Sequence, residues 1–118
     1  MKTIIENLHK IYFVSKMLHW NAIKYDQHLL YDRIAEGMID AIDKVAESCI
    51  FPFETITDLD LNITNYSLDE LIRIIEETAR DIQVACLDPN TTEGAKNTLS
   101  GIAEQLNIKA YLINRNLR

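Results

Sequence analysis

The 118 residues predict an all-α domain, a four-helix bundle of up-down-down-up connectivity with a long crossover between helices two and three. Three observations predict it. Apolar residues recur at three- and four-residue intervals along four segments. Gly and Pro number 3 and 2, too few for the closely spaced turns of a sheet protein. One of the three connections is far longer than the other two.

The first helix is expected from about Thr3 to Trp20, with Ile4, Leu8, Ile11, Ser15 and Leu18 on one stripe. Ile5, Tyr12, Phe13 and Val14 widen its apolar surface, as expected where a bundle helix also meets a neighbouring subunit. The second runs from Tyr25 or Asp26 to Cys49, with Asp26 as candidate N-cap and Tyr31, Ala35, Met38, Ile42, Val45 and Cys49 as its core stripe. Ser67 and Glu70 form a capping box at the start of the third, with Tyr66 and Leu71 as a hydrophobic staple around it. Leu68, Leu71, Ile75, Ala79, Ile82 and Cys86 line its face, and Pro89 closes it because proline cannot continue the hydrogen-bond ladder. The fourth starts near Thr91 or Thr92 and presents Ala95, Leu99, Ile102, Leu106, Ala110, Ile113 and Leu117.

Loop lengths set the topology. Short links make hairpins of helices one–two and three–four. The stretch IFPFETITDLDLNITNY, with Pro52 and several β-branched residues, reads as a crossover with one helical turn near Thr57–Leu61. At ~3.3 Å per residue it can run the ~36 Å length of a bundle helix, which lets helices two and three lie parallel; the plainer alternative is an up-down-up-down bundle with one long loop.

Hydrophobic residues at 47% and charged residues at 25% describe one globular domain over residues 1–118 and exclude a disordered chain. No apolar run approaches the roughly eighteen residues of a membrane helix. MKTIIENLHKIYF carries Glu6, His9 and Lys10 where a signal peptide would be apolar, so a cytoplasmic protein is expected. Cys49 and Cys86 are expected as reduced core thiols. A net charge of −6 without a basic arm argues against direct DNA contact, and it attracts cations.

His28, Asp32, Asp43 and Glu47 share one sector of helix two. At about 100° per residue, Asp32, Asp43 and Glu47 lie about 40°, 60° and 100° round from His28. His28 with Asp32 and Asp43 with Glu47 are i,i+4 pairs, each able to converge on one ion. Imidazole with carboxylates suits ferrous iron and also accepts manganese or zinc. About 16 Å of helix separates the pairs, so closing a site needs a second copy packed antiparallel across a two-fold axis. The plainer reading is a solvated acidic face.

LHWN at 18–21, followed by His28, Asp32, Asp43 and Glu47 in those spacings, resembles the Dps (DNA-protection-during-starvation) family of miniferritins. NTLSGIAEQLNIKAYLINRNL is similar to the family's last helix, so the likeness covers nearly the whole chain. The interval from His19 to His28 is three residues shorter than the family's, which shortens the first hairpin.

The resemblance implies the ferritin-like form of the bundle and a ferroxidase centre between two-fold-related subunits. His19, His28 and Asp32 would come from one chain, and Asp43 and Glu47 from its partner. Glu47 would be the bridging or strongest anionic ligand, with Trp20 beside the site as an electron donor or an aromatic wedge between helices. The family oxidises Fe²⁺ to Fe³⁺ with hydrogen peroxide, and less efficiently with dioxygen, and stores the product in a twelve-subunit shell. Two other readings stand beside it. One is a non-enzymatic oligomeric scaffold that kept the bundle and lost or altered the iron chemistry. The other is an acidic helical partner of another protein, which would leave a large apolar face exposed.

Overall fold

A computed structural model of the chain describes residues 1–49 and 55–117. Its helices are α1 (Lys2–Asn21), α2 (Tyr25–Ala35), α3 (Met38–Cys49), α4 (Leu68–Leu87) and α5 (Glu93–Asn116). Residues 50–54, Pro52 among them, lie outside the described part.

The bundle runs up-down-down-up, with α2 and α3 together forming its second arm. α1 packs on α2, α3 and α4, while α5 packs on α3 and α4. Each arm therefore has antiparallel neighbours and the parallel arms sit across the diagonals. Between them lie Leu8, Ile11, Ile34, Met38, Leu71, Ile82, Leu99, Leu106 and Ile113, all buried. Each such side chain contributes about 1.5–3 kcal/mol by leaving water.

The crossover climbs along α1. Lys2 Nζ donates to Asp58 Oδ2 at 3.0 Å, and the Glu6 carboxylate accepts from the backbone of Asp60. Further up, Ile63 packs against the core. The helical turn expected at Thr57–Leu61 does not form. Asp58 accepts from Lys2 of α1, and Asp60 Oδ1 accepts from Asn62 N at 3.2 Å in a local turn, so both side chains are engaged in contacts that compete with a helix.

Ser67 Oγ accepts from Glu70 N at 3.1 Å, and Thr92 Oγ1 accepts from Ala95 N at the same distance. Only that half of the capping box forms: Ser67 N donates to Asn65 Oδ1, and the Glu70 carboxylate is taken by Arg73. Asp26 is not the N-cap of α2. Lys24 holds that position, and Asp26 sits in the first turn, where its charge still favours the helix dipole.

The larger departure is the break in the second arm. Glu36 has φ −59° and ψ 135°, and Gly37 has φ 83°, the geometry of a type II turn that needs glycine at its third position. The core stripe keeps its phase through Ala35, Met38 and Val45. Angles counted at a constant rotation per residue no longer hold between Asp32 and Asp43, because two residues in between leave the helix.

Candidate metal centre

α1 and α2 are joined by Ala22–Lys24 alone. That tight link brings the two histidines face to face, with ring centroids 3.7 Å apart and planes 24° from parallel. His19 Nδ1 lies 2.6 Å from the carbonyl oxygen of His28, and His28 Nδ1 lies 2.9 Å from that of His19. A carbonyl only accepts, so each Nδ1 must carry the proton. Each neutral ring then keeps its lone pair on Nε2, the form in which imidazole binds a metal. Tyr25 extends the stack, its ring 6.3 Å from that of His28.

Asp32 sits one turn further along α2. Lys16 Nζ on α1 donates to its Oδ1 at 2.6 Å. That hydrogen bond holds the Asp32 carboxyl below the usual carboxylate range, and the charge of Lys16 acts in the same direction against the opposing effect of burial. His19, His28 and Asp32 thus form one neighbourhood, and its carboxylate is ionised. Lys16 was not singled out in the sequence, although its place one turn before His19 on the same helix carries the signal.

Asp43 and Glu47 lie exposed on α3, beyond the break. Among the described residues of one chain, no group of three or more His, Cys, Asp or Glu side chains is placed to hold a metal ion. Trp20, at the end of α1, is 66% exposed. Cys49 and Cys86 are both free thiols, and burial pushes that of Cys49 up.

By type, the donors present, two imidazoles with Nε2 available, one ionised carboxylate and two exposed carboxylates, are ones that a divalent first-row ion accepts. Fold and cluster together define a four-helix bundle with ferritin-like topology, carrying a histidine–carboxylate group near one end. Compared with protein-family models, with curated proteins and with solved structures, the chain has no match in any of the three. No described helix is long and apolar enough to cross a membrane.

Proposed function

We propose that the protein binds Fe²⁺ at a site shared by two copies of the chain and oxidises it to Fe³⁺, with hydrogen peroxide or, less efficiently, dioxygen as oxidant. The carrying observation is the juxtaposition of the His19–His28 stack with the ionised Asp32. In this reading His19, His28 and Asp32 of one chain hold the ferrous substrate, and Asp43 and Glu47 of a two-fold-related chain complete the set. Two ferrous ions each give one electron to a peroxide, which takes up two protons and leaves as two waters. The carboxylates favour the product, because the added positive charge on iron is best met by anionic oxygen. Trp20, exposed beside His19, serves as an electron donor or packs into the partner. Manganese or zinc would occupy the same donors without turnover. Assembly into a hollow, twelve-subunit shell with ferric storage belongs to the same reading, as does a cytoplasmic setting.

Stopped-flow absorbance of the ferric product after mixing Fe²⁺ with peroxide tests it. Glu47→Gln keeps the shape and removes the charge, so rapid oxidation is expected to disappear in a folded variant. Equal rates in parent and variant would overturn the assignment.

A second reading, a bundle scaffold without iron chemistry, is favoured by one observation. Lys16 already neutralises Asp32 within the chain. Absence of Fe²⁺ uptake by the parent in an anaerobic titration would select it.

A further inference from the structure

The ammonium of Lys109 is buried in the side of the bundle where the second arm breaks. Lys109 is only 7% exposed. Its Nζ donates to the carbonyl of Glu36 at 2.7 Å and reaches that of Arg33 at 3.4 Å. The Glu36 carbonyl lies just past the end of α2, where the helix offers it no partner, while the Arg33 carbonyl also accepts from Glu36 N at 3.3 Å. Among the described residues Lys109 forms no salt bridge with any carboxylate. A buried ammonium without a carboxylate in salt-bridge contact is costly, so its retention calls for a task that an apolar residue could not perform.

One turn before it on α5, Gln105 faces the same break: a Cβ added to Gly37 would lie 3.4 Å from Gln105 Oε1. The break is therefore met from α5 by two side chains at i and i+4, one covering Gly37 and the other capping α2. A positive charge at that end also suits the dipole of α2.

We infer that Lys109 is the positioning residue of the site: it holds the joint between α2 and α3, and thereby sets how His28 and Asp32 are presented relative to Asp43 and Glu47. The inference rests on the metal reading, since only that reading gives the two half-helices a shared task. The donors on α2 and on α3 serve one ion through two copies, so a small change at the joint displaces both halves of both shared sites. A continuous helix would set their relative angle by its own pitch. Here α5 sets it through Lys109 and Gln105.

The experiment combines anaerobic Fe²⁺ calorimetry with hydrogen exchange read by mass spectrometry, on the full chain. Lys109→Met keeps most of the stem and removes the ammonium. It is expected to lower Fe²⁺ affinity by about tenfold or more, as loss of a supporting partner commonly does. Amides of residues 36–41 are expected to exchange faster, with α4 unchanged. Ile82→Ala, in the core away from the joint, is the destabilised control and should leave Fe²⁺ affinity as in the parent. An unchanged affinity in folded Lys109→Met, or an equal loss in the control, overturns the inference. Should Lys109→Met fail to fold, Lys109→Gln, uncharged and one atom too short to reach the Glu36 carbonyl, is judged by the same two readouts. If the parent itself takes up no Fe²⁺, the metal reading has failed on its own account. Faster exchange confined to residues 36–41 would then still support Lys109 as the holder of the joint, and unchanged exchange there would refute it.

Discussion

His19 and His28 grip each other through their backbones: each imidazole Nδ1 donates to the other residue's carbonyl, and the two rings stack between the bonds. The arrangement closes the hairpin between α1 and α2 and fixes the tautomer of both rings at once. The shortened link of three residues is what makes it reachable, since a longer loop would let the two rings part.

The pair yields the first prediction. His19→Ala should weaken Fe²⁺ binding about as much as His28→Ala, because removing either ring also frees the other to rotate. Anaerobic calorimetry of both variants decides it. Normal affinity for His19→Ala beside a weakened His28→Ala would mean that the site is built from His28, Asp32, Asp43 and Glu47 alone.

Lys16 competes with the ion for Asp32. The pair is partly exposed and contributes at most about 1 kcal/mol, so Lys16→Met should raise Fe²⁺ affinity by up to about fivefold and cost little stability. Titration with Fe²⁺ alongside urea unfolding measures both. A fall in affinity would show that Lys16 orients the carboxylate for the ion and does not compete for it.

Gly37 has φ 83°, a conformation that a Cβ disfavours. Gly37→Ala should destabilise the fold by about 1–2 kcal/mol through backbone strain, since the nearest neighbour of the new methyl is only the end of the Gln105 side chain. Urea unfolding followed by circular dichroism reads the change. A stabilised variant would mean that the arm straightens into one helix in solution.

Burial pushes the Lys109 ammonium below the ordinary lysine range. Over the interval between that lowered value and about 10.4, the unfolded chain keeps a proton that the folded chain has released. Stability contributed by Lys109 therefore rises with pH across this window and is lost as pH falls through the folded value. Lys2 and Lys16, which their ion pairs with Asp58 and Asp32 shift upward, act in the opposite sense. The quantity to measure is thus the difference in unfolding free energy between the parent and Lys109→Met, and it should grow with pH. A flat difference would mean that the group titrates as an exposed lysine does.

The sequence by itself determined the four arms of the bundle and their connectivity. The apolar stripes, the cap at Ser67, the helix start near Thr91 or Thr92, the stop before Pro89 and the one long connection are local signals or simple lengths, and local physics reads them without knowing the partners. The neighbourhood of His19, His28 and Asp32 was legible too, because one short hairpin carries all three. Tertiary structure decided the rest. The break at Glu36–Gly37 interrupts a stripe that stays in phase from Tyr31 to Val45, and a lone glycine in such a pattern is compatible with an unbroken helix. What ends α2 is the meeting of Gly37 with Gln105 and of the Glu36 carbonyl with Lys109, about seventy residues further along the chain. Lys109 reads as a solvated lysine until α5 is laid against the break, because burial is a property of packing and not of residue type. The place of Asp43 and Glu47 relative to Asp32 follows from that same joint, which no count of residues along one helix can supply.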